Sequence, residues 1–205
     1  MKAATGLSLV ALGIVLTPGP NMIYLVSRSL SQGRRAGLVS LLGTLTGFAV
    51  YLVLANLGLS GLFLTAPWVY GTVRIAGAAY LLHLAWRAVR PGGIAVFEAR
   101  DMACDPVPKL YWMGLITNLL NPKAAILYLA LIPQFIEPAR GDVLAQGFML
   151  GGLQICESGA INATIILGAA GIAAFLARRP SWLLWQRRVT GILLATVGLT
   201  LALGT

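Results

Sequence analysis

Long apolar runs without charge alternate with short polar segments along the whole chain, and this pattern predicts membrane-spanning helices. A transmembrane helix needs about 20 mainly apolar residues. Residues 3–27 carry no charge, and the longer charge-free run 36–73 is divided by Gly58, Gly61 and Pro67. The sequence therefore predicts an all-α, polytopic membrane protein with six transmembrane helices. We expect these helices at about residues 3–27, 37–63, 67–89, 110–134, 143–175 and 183–203.

The composition agrees with a membrane protein and excludes other classes. Of the 205 residues 58% are hydrophobic and 10% charged, and the mean hydropathy is +0.84. A soluble domain carries about 25% charged residues, so the polar side chains here are too few to cover a soluble enzyme. A nucleic-acid partner would fit the net charge of +9 but not the hydrophobicity. We expect one transmembrane domain, residues 1–205, surrounded by lipid bilayer.

The basic residues predict how the helices are oriented. The loops after helices one, three and five hold eleven Lys and Arg, whereas the opposite side holds only Lys2 and Arg140. Loops rich in Lys and Arg face the cytoplasm. Both termini are therefore predicted outside, and residues 91–108 form a cytoplasmic linker.

The two halves of the chain match at a constant offset of 104 residues without gaps. The matching pairs include Pro18 with Pro122, Tyr24 with Tyr128, Gly43 with Gly147 and Gly47 with Gly151. Each half contains an odd number of predicted spans, so the halves must be inserted in opposite directions. This predicts a 3+3 inverted-topology repeat, about 1–90 and 109–205. The four paired glycines form small-xxx-small patterns, which allow close helix packing.

Equivalent helix-breaking segments interrupt the predicted helices one and four. Thr17–Asn21 reads Thr-Pro-Gly-Pro-Asn, and Asn118–Lys123 reads Asn-Leu-Leu-Asn-Pro-Lys. Proline removes a backbone donor, and freed backbone groups at membrane depth must be buried or face a cavity. The pair indicates a midplane binding site, and the alternative is two kinks that only shape packing. The candidate pathway residues are Pro18, Gly19, Pro20, Asn21, Asn118, Asn121, Pro122 and Lys123.

Several of these segments resemble the LysE/RhtB family of amino-acid exporters. The matching segments are Thr17-Pro18-Gly19-Pro20-Asn21, Gly33–Gly37 with Gly43 and Gly47, Gly77–Leu82, Gly114, Asn118, Asn121–Ala124, Pro133–Phe135, Gly191 and Gly198-Leu199. The resemblance covers almost the whole chain. It implies a multi-pass exporter of amino acids or close derivatives in the bacterial inner membrane, driven by proton antiport.

Ionisable residues inside the predicted spans are further candidates for the pathway. A charge at a helix centre costs about 2.5–3.5 kcal/mol to insert, so Arg74, Lys123 and Glu157 are expected to face the bundle interior. A structural ion pair of Glu157 with Lys123 or Arg74 is one interpretation. The other is functional: Glu157 takes up and releases a proton, while Lys123 and Arg74 attract a substrate carboxylate.

Other functions fit the sequence less well. Export of a metal cation or another small solute on a related fold is the main alternative, but the spans lack clusters of Cys, Asp or His. With one histidine and no paired carboxylates in the spans, an enzyme is not expected. We expect no metal and no cofactor. The oligomeric state stays open, a homo-oligomer included.

Overall fold

The structure is a computed structural model that describes residues 2–17, 19–65, 67–90 and 104–177, with isolated residues between 185 and 203. The side chains of 2–4, of 59–70, of several positions in 73–88 and of 173–177 fall outside the description. Every regular element within the described ranges is helical. The helices are α1 Lys2–Leu16, α2 Pro20–Gln32, α3 Arg34–Thr65, α4 Pro67–Val89, α5 Val107–Leu119, α6 Pro122–Ile126 and α7 Val143–Ala177. A π-helical turn, Leu127–Leu131, and two 3-10 turns, Ile132–Phe135 and Pro138–Arg140, follow α6.

Two helices in the described part of the chain are long and apolar enough to cross a membrane, Arg34–Gly58 of α3 and Val143–Ile172 of α7. Two further spans are each formed if a pair of helices joined at a bend is counted as one, which raises the number to four. One pair is α1 with α2, and the other is α5 with the segment Pro122–Phe135. Each pair is bent by 55°. These spans agree with predicted helices one, two, four and five. The fourth begins at Val107 rather than at 110. The sixth predicted helix lies mostly outside the described residues.

Local sequence explains why α2 is a separate short rod. Gly19 precedes it in an extended conformation, and Pro20 occupies the first turn, where a missing N–H costs nothing. At the other end Gly33 has φ +88°, which a residue without Cβ adopts readily. The chain therefore turns directly from α2 into α3, and α2 is a 13-residue rod between two breaks.

Small residues allow α3 to approach α5 and α7 closely. A Cβ added at Gly43 would overlap the Tyr111 carbonyl oxygen, and one added at Gly114 would overlap that of Ser40. A Cβ added at each of the other three predicted packing glycines would meet neighbouring side chains instead of backbone. Gly47 faces Asn118, Gly147 faces Asn56, and Gly151 faces Leu52 and Tyr128. These contacts hold α3 against α5 and α7, whereas α1 packs mainly against α7.

Gly43→Ala is expected to destabilise the protein by about 1–3 kcal/mol, because the new methyl group overlaps backbone atoms that cannot move aside cheaply. Gly58→Ala is the matched control on the same helix, since a Cβ there meets nothing within 4 Å. The control should be neutral or stabilising by about 0.5–1 kcal/mol. Thermal unfolding of the detergent-solubilised variants measures both effects. Equal stability of the two variants would contradict the close approach of α3 and α5.

Candidate functional site

A partly polar cavity lies where the break between α1 and α2 meets the break between α5 and α6. Its volume is about 40 Å³, which is more than the space that a single water molecule needs. The lining residues are Ile14, Val15, Thr17, Gly19, Asn21, Met22, Phe48, Asn121, Lys123, Ala124, Leu127, Gln154 and Asn162. The lining therefore combines apolar side chains with amide groups and one lysine amino group.

The first break exposes backbone to this cavity. α1 ends at Leu16, and the hydroxyl of Thr17 donates to the carbonyl oxygen of Gly13 at 2.8 Å. α2 begins at Pro20. The side-chain oxygen of Asn21, in the first turn of α2, is buried without a hydrogen-bond partner. An unpaired buried acceptor is costly, so this oxygen is available to a ligand in the cavity.

At the second break an N-cap residue and a proline end one helix and start the next. α5 ends at Leu119, and the side-chain oxygen of Asn121 accepts from the backbone N–H of Lys123 at 3.1 Å. Pro122 follows at the first position of α6. Asparagine is a preferred N-cap and proline suits the first helical position. The Asn-Pro-Lys sequence thus restarts the helix and places the Lys123 side chain at its beginning.

Lys123 joins the two breaks. Its side chain is buried, and its Nζ donates to the carbonyl oxygen of Thr17 at 2.8 Å. A Cβ added at Gly19 would lie 3.5 Å from this Nζ, so the ammonium group rests against the backbone of the first break. Among the described residues no carboxylate contacts it. The cavity therefore contains a buried lysine amino group without an acidic partner in the described structure.

The sequence-based hypothesis of an ion pair between Lys123 and Glu157 is wrong for the described structure. Glu157 Oε1 instead accepts from the hydroxyl of Ser8 at 2.5 Å, and this bond links α7 to α1. The two charges are apart because Lys123 turns toward the first break. Glu157 is half-buried and is not among the cavity-lining residues. The Arg74 side chain lies outside the described residues, so its pairing with Glu157 stays a prediction.

The remaining predicted pathway residues occupy different places. Pro18 lies outside the described residues. Pro20 and Pro122 are exposed at the starts of α2 and α6. Asn118 does not line the cavity; it is fully buried at the crossing of α3 and α5 against Gly47, and its amide has no hydrogen-bond partner. The structure thus brings Gly19, Asn21, Asn121 and Lys123 together around one cavity.

Two cavity residues on α7 were missed by the sequence reasoning. Gln154 and Asn162 line the cavity, and Ser158 lies between them on the same face. Gln154 accepts from the Tyr128 hydroxyl at 2.5 Å and donates to Ser158 Oγ at 2.5 Å, while Asn162 donates to the Ser158 carbonyl oxygen at 2.8 Å. All three are buried. Their spacing of four residues, which marks one helix face, was the available signal.

The described lining of the cavity does not resemble a metal site. In the part of the chain that the structure describes, no three His, Cys, Asp or Glu side chains are grouped as metal ligands would be. Among the described lining residues Lys123 alone is ionisable, and an ammonium group repels a metal cation. The described cavity therefore suits a ligand that carries negative charge at one end.

Sequence comparisons relate the chain to transport proteins. It is 31% identical over 190 residues to the homoserine/homoserine lactone efflux protein of Salmonella typhimurium strain LT2, covering 91% of the chain and 89% of that protein. It is 32% identical over 127 residues to the leucine efflux protein of the same strain, covering 62% of the chain and only 60% of that relative's length. An uncharacterized membrane protein of Bacillus subtilis strain 168, YrhP, is 29% identical over 154 residues, covering 70% of the chain and 72% of that protein.

No solved structure matches the chain. The model of the LysE type translocator family matches residues 12–205, which is nearly the full length. That match covers both helix breaks and all the cavity-lining residues. The chain therefore belongs to the LysE type translocator family, a family of multi-pass membrane transporters and not of enzymes.

Proposed function

We propose that the chain exports amino acids or close derivatives across the bacterial inner membrane in exchange for protons. The observation that carries this proposal is the buried Lys123 ammonium group, which lies in a cavity between two helix breaks without a described acidic partner. A substrate carboxylate would neutralise it. The names of two relatives, leucine efflux protein and homoserine/homoserine lactone efflux protein, support amino acids as the substrate class.

The described groups fit the two ends of an amino acid. An ammonium group has three donors, and one hydrogen bond of Lys123, to Thr17, is present. The others are available to a carboxylate, and such charge-assisted bonds are strong. The unpartnered oxygen of Asn21 accepts from the substrate ammonium group. The positive end of α2, which begins beside the cavity, also favours the carboxylate.

The proposed architecture is the six-helix, 3+3 inverted repeat in one domain, with both termini outside and the linker 91–108 in the cytoplasm. The constant offset of 104 residues and the asymmetric distribution of basic residues support it. The hydrogen bond between Lys123 and Thr17 supports a common depth for the two breaks. In this arrangement the cavity lies near the midplane, where such repeats bind their substrates.

Glu157 is the proposed proton-carrying residue. It is the only carboxylate in the candidate spans of the described chain, and it faces the Ser8 hydroxyl. The Glu157 carboxylate is half-buried where α7 contacts α1, the helix that ends at the first break. Protonation of this carboxylate therefore changes how α1 packs against α7. Arg74 on α4 remains a second candidate for the pathway.

Efflux from cells preloaded with labelled dipeptides tests the function. We expect cells that express the protein to release leucine or homoserine several-fold faster than cells lacking it. Dissipating the proton gradient should abolish the difference. Equal release of every amino acid tested by the two strains would contradict the proposal.

A further inference from the structure

The C-terminal half of α2 carries a second polar cluster, which begins at Arg28, about 9 Å along the helix from the cavity-lining Met22 at 1.5 Å per residue. Arg28 on α2 forms an ion pair with Asp105, which lies just before α5. Gln32, the last residue of α2, accepts from the backbone N–H of Asp105 at 2.8 Å and donates to its carboxylate at 3.2 Å. Lys109 contacts the same carboxylate at 2.7 Å. We refer to Arg28, Gln32 and Asp105 as the clasp.

The clasp is more enclosed than an ordinary surface ion pair. The side chains of Arg28 and Asp105 are 11% and 12% exposed, whereas the Arg140 and Glu137 side chains, an ion pair within one loop, are 58% and 42% exposed. Arg28 also lies over the ring of Tyr24, 5.4 Å from its centroid. Surface pairs contribute little to stability, but breaking an enclosed pair leaves a charge poorly compensated.

Tyr24 extends the cluster to two other helices. Its hydroxyl donates to the carbonyl oxygen of Leu110 on α5 at 3.0 Å and lies 3.1 Å from the Ser40 hydroxyl on α3. The Nε of Arg28 is buried without a partner. The clasp thus holds α2 against the segment before α5, and Tyr24 adds contacts with α3 and α5, yet one donor of the clasp stays unsatisfied. Such an arrangement is not optimised for stability alone.

The clasp stays charged near neutral pH. The hydrogen bond from Lys109 lowers the pKa of Asp105 most, and the hydrogen bond from Gln32 and the positive charge of Arg28 lower it further. A lowered pKa means that this contribution to stability is present above the ordinary pKa of a carboxyl group and is lost only as the pH falls through the lower folded-state value. At neutral pH the clasp therefore opens when Arg28 and Asp105 move apart, and not through protonation of Asp105.

We propose that Arg28 and Asp105 are positioning residues for transport: their clasp holds the α2 rod against α5, and its opening is a required step of the cycle. The proposal rests on the proposed transport function. α2 is bounded by breaks at Gly19 and Gly33, so it can pivot as a unit. Its first turn supplies Asn21 and Met22 to the cavity. Releasing its last turn therefore moves two cavity-lining residues.

A reversible cross-link tests whether the clasp must open. In a background with Cys104→Ser and Cys156→Ser, Gln32→Cys with Asp105→Cys is treated with a short bifunctional methanethiosulfonate reagent. We expect cross-linking to slow amino-acid exchange in proteoliposomes by about tenfold or more, with recovery after reduction. Thr46→Cys with Tyr111→Cys, at a hydroxyl–hydroxyl contact of 3.0 Å between α3 and α5, is the matched control. Unchanged exchange by the cross-linked clasp would overturn the proposal.

A labelling experiment reports on the clasp without any substrate. Met22→Cys, at a position buried beside the cavity, is exposed to a membrane-impermeant thiol reagent in inverted and right-side-out vesicles. Adding Arg28→Gln or Asp105→Asn should raise its labelling rate about tenfold or more from the side of the 104–109 segment. Arg140→Gln, which removes the exposed loop pair, should not. Unchanged labelling in both clasp variants would refute the clasp, whereas changed labelling without amino-acid transport would refute only the proposed function.

Discussion

Lys123→Met is expected to reduce amino-acid export roughly 30-fold or more. The variant removes the cavity's ammonium group, and truncating one partner of a buried charge pair costs about 2–5 kcal/mol, which corresponds to this factor at the lower end. The cap of α6 remains, because Asn121 binds the backbone N–H of residue 123 and not its side chain. Counterflow of labelled substrate in proteoliposomes measures the loss, which should appear as weakened substrate affinity.

Thermal unfolding separates this effect from misfolding. Removing the side chain loses one hydrogen bond to Thr17 but also removes a buried charge that has no described acidic partner. These effects oppose one another, so we expect the midpoint of unfolding to stay near that of the parent protein. Arg140→Met, at a loop side chain that is 58% exposed, is the control for loss of a basic residue. Normal export by a well-folded Lys123→Met variant would show that Lys123 only supports the structure.

Glu157→Gln should eliminate export driven by a pH gradient while leaving substrate exchange intact. The amide keeps the size of the side chain and still accepts from the Ser8 hydroxyl, but it cannot take up and release a proton. Uncoupled exchange requires binding and helix movement only. We therefore expect counterflow within about twofold of the parent and a loss of pH-driven export of more than about tenfold, as for removal of a general acid–base group.

Glu137→Gln provides the comparison for this substitution, because Glu137 is partly exposed and paired with Arg140 in a loop outside the candidate spans. It should retain both activities. If Glu157→Gln also exports normally in a pH gradient, Glu157 is a structural residue. The coupling site would then have to be sought among Arg74, the broken-helix backbone and His83, which is the one histidine of the sequence.

The local backbone of this chain was largely predictable from its sequence. The helices expected at about 37–63, 67–89 and 143–175 are observed as Arg34–Thr65, Pro67–Val89 and Val143–Ala177. Charge-free runs and helix-breaking residues act through neighbours in the sequence, so they can be recognised without knowledge of the packing. The segment after Pro122 was less predictable. Its π-helical and 3-10 turns lie where the broken helix packs against α1, α3, α4 and α7.

The partners of the polar side chains were not predictable in the same way. Lys123 was considered as an ion-pair partner of Glu157, yet it binds the Thr17 carbonyl oxygen, and Glu157 binds Ser8. Similar depth in the membrane does not determine which helix faces which. That choice follows from the close crossing of α3 and α5 and from the 55° bends, which aim side chains of separate segments at one cavity.

By itself, the sequence determined the membrane class, the position of most helices and the two candidate breaks, because hydrophobicity and proline act locally. It also carried the resemblance to the LysE family that the family match bears out. Only the tertiary structure decided that Gln154 and Asn162 join Lys123 at the cavity and that Arg28 pairs with Asp105. These residues are far apart in the chain, and their contacts arise from the packing of helices against one another.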